Sequence, residues 1–313
     1  MRKRRIGSLE VTVVGVGCNN FGRQLDVAQT RRVIYAALDH GINFFDTADH
    51  YGRPRTASES VVGEVLGARR DEAIVATKFG RPLDDRRLGG AKTAYVRSAT
   101  EDSLKRLRTD RIDLMQLHIP DPTTPIEETL GALSDLVAEG KIREIGASNF
   151  SVAQLQEAQA VAHSLGTKCF VSTQEEYSLL ARKAETNVMA ECERNGIAFV
   201  PYFPLYNGLL TGKYRFGQPA STDTRIGSKD EQAQAAIFSK RNMAIVADLT
   251  DYAEKRGRTL LELTFGWLLS HQVIPAVIAG VSSPEQVLAN VKAAQWELTA
   301  NEIADINRLA PMT

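Results

Sequence analysis

The stretch Val13-Val14-Gly15-Val16-Gly17-Cys18-Asn19-Asn20-Phe21 decides the fold. Its first five residues read as a short buried strand. In a doubly wound dinucleotide-binding sheet, a glycine-rich turn after such a strand opens directly into a helix. Here Gly17 leads into Cys18-Asn19-Asn20-Phe21 instead, and a helical pattern begins only near Thr30. Working outward, seven more short apolar runs follow, at 42–46, 73–77, 112–117, 144–147, 170–173, 197–200 and 276–279. Amphipathic stretches lie between them, at 30–40, 58–67, 95–107, 126–138, 152–165 and 184–195, and two more, at 284–293 and 300–309, finish the chain. Gly41, Gly140, Gly166 and Gly196 stand where helices stop in a left-handed cap. Buried strands joined by helical crossovers imply parallel pairing and right-handed connections. With no nucleotide fingerprint after the first strand, the spacing predicts an α/β chain closed into a (β/α)8 TIM barrel, a single domain over 1–313. Residues 4–11, turning at Gly7-Ser8, predict a short N-terminal hairpin that plugs the barrel floor. Residues 206–236 after the seventh strand, rich in Gly, Thr, Ser, Asp and Gln and containing Pro219, predict a long lid or binding loop.

Composition narrows the class. Of the 313 residues, 43% are hydrophobic, and Lys+Arg and Asp+Glu each total 38, for a formal net charge of zero. A nucleic-acid binder carries a basic excess or stripe, and neither is visible. The basic run Met1-Arg2-Lys3-Arg4-Arg5 is not followed by the apolar segment of a secretory signal. No stretch approaches the roughly 18 uninterrupted apolar residues of a membrane span. Cys18, Cys169 and Cys192 are scattered and form no CxxC pair, which suits a reducing compartment. A cytoplasmic, soluble protein without nucleic-acid or membrane partners is expected; its oligomeric state is not encoded in these features.

In a TIM barrel, chemistry gathers beyond the C-terminal ends of the strands. Those positions hold Asp46, Tyr51, Lys78, His118, Ser148, Asn149, Gln174 and Tyr202. Each alone has an ordinary reading as a turn residue, a rim aromatic or a solvated charge. Asp46, Tyr51, Lys78 and His118 together form a general acid with its tuning groups. A phenol has an ordinary pKa of about 10. A neighbouring ammonium is expected to lower it, and a carboxylate keeps that ammonium charged. An imidazole beside the phenol can hydrogen-bond a carbonyl oxygen. No His-x-x-x-His, cysteine cluster or carboxylate pair competes, so the reducing equivalent has to come from a cofactor. A cofactor-free lyase or isomerase using the same groups stays open at this point.

The sequence resembles the aldo-keto reductases from Gly15 to about Asn290. The match rests on Gly41-Ile42-Asn43-Phe44-Phe45-Asp46-Thr47-Ala48-Asp49-His50-Tyr51-Gly52, Ala76-Thr77-Lys78-Phe79-Gly80, Asp113-Leu114-Met115-Gln116-Leu117-His118 and Gly140-Lys141-Ile142-Arg143-Glu144-Ile145-Gly146-Ala147-Ser148-Asn149-Phe150. The resemblance implies a catalytic tetrad of Asp46, Tyr51, Lys78 and His118, with Tyr51 as proton donor in the reversible reduction of an aldehyde or ketone to an alcohol. It implies nicotinamide contacts from Ser148, Asn149, Gln174 and Tyr202. It further implies a pyrophosphate loop through Pro204, Leu205, Gly208, Leu210, Gly212 and Lys213, and an adenosine-phosphate segment through Gly280, Ser282, Gln286 and Asn290. A helix N-terminus in that segment suits an anion. Ser282 and Gln286 stand where many relatives carry Arg or Lys, and Ala289 replaces a common Glu. An Arg fork would hold a 2′-phosphate better. NADPH is expected as the family's habit, with NADH as the alternative. Phe21, Tyr51, Phe79, His118, Ile119 and Tyr177 are the expected pocket walls, and Asp26, Asp49 and Arg53 point to a sugar-like carbonyl. Some relatives serve instead as NADPH-binding regulatory subunits of potassium channels, and these keep the tetrad.

Overall fold

The computed structural model describes residues 1–84, 88–214, 221–222 and 224–312. It begins with the antiparallel hairpin β1 (Lys3–Ile6) and β2 (Leu9–Thr12). From β3 (Val14–Gly17) strand and helix alternate: α1 (Val27–Asp39), β4 (Phe44–Asp46), α2 (Ala57–Leu66), β5 (Ile74–Phe79), α3 (Thr93–Leu107), β6 (Ile112–Leu117), α4 (Ile126–Ala138), β7 (Ile142–Ser148), α5 (Val152–Leu165), β8 (Ser172–Glu176), α6 (Ala190–Asn195) and β9 (Ala198–Tyr202). Three helices, α7 (Glu231–Ile237), α8 (Lys240–Glu254) and α9 (Leu260–Ser270), precede β10 (Val277–Gly280). Helices α10 (Pro284–Ala293) and α11 (Ala300–Leu309) end the chain.

The large sheet runs β10-β3-β4-β5-β6-β7-β8-β9, every pair parallel. Between its two outer strands the Phe199 N–H donates to the Val273 carbonyl at 2.9 Å and carries the wall around. The result is the expected (β/α)8 fold, a nearly closed barrel ringed by helices.

Alternation along each strand sorts side chains into two layers. Phe44, Ala76, Leu114, Ala198, Val200, Ala276 and Ile278 form the inner core together with Ile6, Leu9 and Val11 of the hairpin. The hairpin is therefore the floor plug. Gly7, at φ 55, makes its turn, and a Cβ there would lie 2.7 Å from Glu144 Oε1. The Ser8 N–H donates to that same oxygen at 2.7 Å. The outer core lies between barrel and helices and holds Val75, Phe79, Leu117, Phe199 and Trp267.

The elements depart from expectation in three places. β8 starts at Ser172 and runs to Glu176, so Gln174 sits inside a strand rather than at its end. The 206–236 region contains a 3-10 turn at Tyr206–Thr211 and the helix α7; Pro219 lies outside the described residues. α8 and α9 fill a region that the sequence pattern left unassigned. Leu260, Leu263, Phe265, Trp267, Leu268 and Leu269 of α9 are all buried, so the helix has little polar face to reveal its period. No described helix is long and apolar enough to cross a membrane.

Candidate active site

β4 and β5 pair in register with Asp46 opposite Ala76. Alternation then turns Lys78 to the inner side with Ala76, and Val75, Thr77 and Phe79 outward. Lys78 is fully buried, and its Nζ donates to Asp46 Oδ2 at 2.7 Å and to the Thr47 carbonyl at 2.8 Å. An ion pair taken out of water survives only with its remaining sites satisfied. Asp46 Oδ1 accepts from Gln174 Nε2 at 2.9 Å and from Gln116 Nε2 at 3.3 Å. Burial alone would draw the Lys78 ammonium down, but the Asp46 carboxylate, with a further contribution from the Tyr51 oxygen, outweighs it and holds its pKa above the ordinary value.

Tyr51 lies over this pair, with Lys78 Nζ 5.0 Å from its ring centroid. The His118 ring meets it edge to face at 6.0 Å. Burial pushes the phenol above its ordinary range, and the Lys78 ammonium reverses only part of that shift. The sequence expectation had the opposite sign. Removing a phenolate from water costs more than one cation returns here. Tyr51 is consequently a protonated donor at neutral pH. His118 is pushed down to about 2 by burial first, then by the positive charges of Lys78, Arg81 and His50. Its ring is neutral at physiological pH, and its buried Nδ1 has no hydrogen-bond partner among the described residues.

The expected nicotinamide contacts form one network with His118. Asn149, at φ 62, donates from Nδ2 to the His118 carbonyl and to Ser148 Oγ, both at 3.0 Å. Ser148 Oγ donates to the Gln174 carbonyl at 2.8 Å, and the Tyr202 hydroxyl donates to Asn149 Oδ1 at 3.0 Å. The Gln174 amide nitrogen is engaged with Asp46. Further along, Asn207 (φ 59) and Gly208 (φ 95) are consecutive left-handed residues inside the turn that carries Leu205 into Leu210, with Gly212 at φ 82. Successive turns of this kind expose backbone N–H groups to an anion. Pro204 and Leu210 are buried, whereas Lys213 is exposed. Gly280 pairs with Gly17 across β10 and β3, which sets the start of α10 beside the 18–20 turn. There Ser282 N–H and Oγ both reach Gln286 Oε1, at 2.8 and 3.2 Å, while Asn290 is buried.

Three expected pocket walls lie elsewhere. Phe79 is one residue from Lys78 and so faces the opposite side, into the outer core. Tyr177 stacks on Trp267 at 5.3 Å and donates its hydroxyl to Glu185 at 2.6 Å. Phe21 is fully buried in the same outer core. Tyr51 and His118 meet edge to face, and Ile119 is part-exposed two residues past β6. Asp26 caps α1, accepting the Gln29 N–H, and Arg53 is exposed. Asp49 is buried with both carboxyl oxygens unpartnered among the described residues, and burial holds it well above the usual carboxylate range.

Three residues escaped the sequence reading. Gln116 shares the inward face with His118, two residues on, and alternation was the available signal. Arg225 donates from Nε to Asn207 Oδ1 at 3.2 Å and stacks 4.6 Å from the centroid of Phe203. It lies in a loop with no periodicity to flag it. Arg81 follows β5 by two residues.

This barrel, with a buried ion pair under a phenol and a neutral imidazole, defines an oxidoreductase scaffold. Residues 13–311 match the Aldo/keto reductase family, and the chain belongs to that family. It is 33% identical to the "Uncharacterized oxidoreductase YrpG" of Bacillus subtilis, over 97% of this chain and 93% of that protein. It is 32% identical to a "Probable voltage-gated potassium channel subunit beta" of Arabidopsis thaliana, over 94% and 91% respectively. The solved structure of aldo-keto reductase AKR11C1 from Bacillus halodurans, in its holo form, superposes with a TM-score of 0.78 at 32% identity, covering 99% of this chain and 96% of that one.

Proposed function

We propose that this chain is an NAD(P)H-dependent cytoplasmic reductase, acting as one domain, that converts a small aldehyde or ketone reversibly to its alcohol. The observation that carries this reading is the Tyr51 phenol, held between a buried Lys78–Asp46 pair and a neutral His118. The residues suit a dinucleotide. Ser148, Asn149 and Gln174 offer amide and hydroxyl groups to a carboxamide, and Tyr202 offers a half-buried ring to a nicotinamide face. The left-handed turn at Asn207–Gly208, with Pro204, Leu205, Leu210, Gly212, Lys213 and Arg225, would hold the phosphates. Gly280, Ser282, Gln286 and Asn290 would hold the adenosine end. NADPH is the first expectation, as the family's habit; NADH is the alternative, because Ser282 and Gln286 bond each other and bring no guanidinium to a 2′-phosphate. When bound, the reduced nicotinamide supplies the hydride.

The protein's own part is the proton. Tyr51 O–H donates to the substrate carbonyl oxygen as negative charge grows there. The Lys78 ammonium, kept charged by Asp46, stabilises the phenolate left behind. The neutral His118 imidazole gives a second hydrogen bond to the same oxygen and fixes its position. The test follows NADPH absorbance with a panel of aldehydes. Tyr51→Phe should lower kcat about 10²- to 10⁴-fold while cofactor binding persists. Unchanged turnover in that variant would remove the proton-donor role. The likeness to a channel subunit beta supports a second reading, an NADPH-binding regulatory subunit. Tight cofactor binding by the wild-type chain with negligible turnover of any aldehyde would favour it.

A further inference from the structure

Beside the two donors of the site, Tyr51 and His118, stands an acceptor that the proton transfer does not use. The Tyr51 N–H donates to the Ala48 carbonyl at 3.1 Å, so residues 48–51 form a tight turn that carries Asp49, His50 and Tyr51 together. The turn is anchored from both sides. The Asp49 N–H extends the β4–β5 ladder to the Lys78 carbonyl at 3.1 Å, and the Ser58 N–H of α2 donates to the Tyr51 carbonyl at 3.2 Å. The His50 ring meets the His118 ring edge to face with centroids 6.2 Å apart, and Tyr51 meets that same ring at 6.0 Å. His50 and Tyr51 thus both border His118.

The Pro82 carbonyl fixes the tautomer of His50. It lies 3.1 Å from Nδ1. A carbonyl oxygen only accepts, so Nδ1 carries the hydrogen. Arg55 holds the same carbonyl and reaches that of Leu83 at 3.0 Å. Burial lowers the basicity of the ring, and Arg55 lowers it further against the opposing pull of the Pro82 bond, so the imidazole is neutral at physiological pH. With its hydrogen on Nδ1, a neutral ring presents Nε2 as an acceptor. The ring is part-exposed, and Nε2 makes no hydrogen bond among the described residues.

The other titratable group of the turn does not engage this nitrogen. Asp49 is 1% exposed, and ladder alternation puts its side chain on the outer side with Thr47, whose hydroxyl lies 2.9 Å from Ser58 Oγ. Both Asp49 oxygens are unpartnered among the described residues. Burial favours the neutral form of this carboxyl, and the charges that act on it most are Glu59, in α2, and Arg106, in α3. The donors and the acceptor of the site therefore call for different partners. Tyr51 and His118 want an oxygen that accepts, which any carbonyl supplies. His50 Nε2 wants an O–H or N–H, which a simple aldehyde lacks.

We propose that His50 sets the specificity of this site: its Nε2 accepts a hydrogen bond from a hydroxyl on the carbon next to the substrate carbonyl, so that α-hydroxy carbonyl compounds are favoured. This rests on the reductase reading above and narrows it to a substrate class.

The test compares kcat/KM for glycolaldehyde with those for methoxyacetaldehyde and fluoroacetaldehyde. Each carries an electron-withdrawing atom beside the carbonyl, and glycolaldehyde alone has an O–H to donate there. It should be preferred about three- to tenfold over both, the scale of one net hydrogen bond. His50→Phe keeps a ring without the acceptor and should bring both ratios close to one. His50→Gln offers an amide oxygen and should keep part of the preference. Wild-type ratios close to one, or a preference untouched by His50→Phe, overturn the proposal. A second measurement does not need turnover. Calorimetric titration of the NADP⁺-loaded protein with glycolamide and methoxyacetamide should show tighter binding of glycolamide in the wild type and equal binding in His50→Phe. That preference without turnover of any aldehyde would sink the reductase reading and leave the role of His50 standing. Aldehyde turnover with ratios close to one would do the reverse, and neither turnover nor a glycolamide preference would overturn both.

Discussion

At the residue scale, the site depends on how far burial moves two rings in opposite directions. His118 titrates near 2 and Tyr51 above the ordinary phenol range, so neither changes protonation near neutrality. Reductive kcat should stay flat from about pH 5 to about pH 9 and fall only as the pH climbs through the phenol's pKa. A limb centred near pH 6.5 in the measured profile would put His118 protonation into the cycle and contradict the geometry. Lys78→Met tests the pair beneath. It removes the cation that stabilises the phenolate, and it strands Asp46, which is 3% exposed. Leaving one member of a buried pair uncompensated costs about 3–5 kcal/mol. The variant should therefore lose both kcat and stability, the latter read by urea unfolding, whereas Tyr51→Phe should lose kcat with little change in unfolding free energy.

At the element scale, the hairpin behaves as a core element although it lies outside the barrel wall. Leu9 is fully buried in the inner core, so Leu9→Ala should cost about 2–5 kcal/mol through lost transfer energy and a cavity. It lies among floor residues, so cofactor affinity measured by fluorescence titration should hold while the unfolding midpoint drops. This element was legible from the sequence because Gly7-Ser8 marks a turn and the flanking apolar residues mark strands. The convergence of Asp46, Tyr51, Lys78 and His118 was legible for a similar reason: all four stand at or just beyond the C-terminal ends of strands, which open on one face of the barrel. Which aromatics wall the pocket was not legible. Phe79 is the last residue of β5 rather than a loop residue, and the pleat sends it to the side opposite Lys78. Tyr177 depends on a partner, Trp267, that arrives from α9, an element whose all-round burial hides its period. The sign of the Tyr51 shift was not legible either, because desolvation depends on packing that no local motif encodes.

At the scale of the whole molecule, stability should carry a pH signature from Glu175. Burial raises this carboxyl from 4.5 to about 7, with the hydrogen bonds from Thr173, Phe150 and Asn149 pulling the other way. A raised carboxyl binds its proton more tightly in the folded chain than in the unfolded one. Its contribution is therefore fully present below about pH 4.5 and is lost as the pH rises through about 7, a change of up to about 3 kcal/mol. Glu175→Gln cannot titrate. Relative to the wild type it should gain about 1–3 kcal/mol in urea unfolding between pH 5 and pH 8; an equal difference at both pH values would contradict the burial of this side chain. A last consequence belongs to Ile6, Leu9 and Val11, which stopper the lower end of the barrel. Among the described residues this end is filled, so a ligand within the barrel would enter from the opposite end, and one resting deepest there would come in first and go out last. Inhibition patterns should accordingly reveal a compulsory sequence, with the dinucleotide arriving before the carbonyl compound and departing after the alcohol.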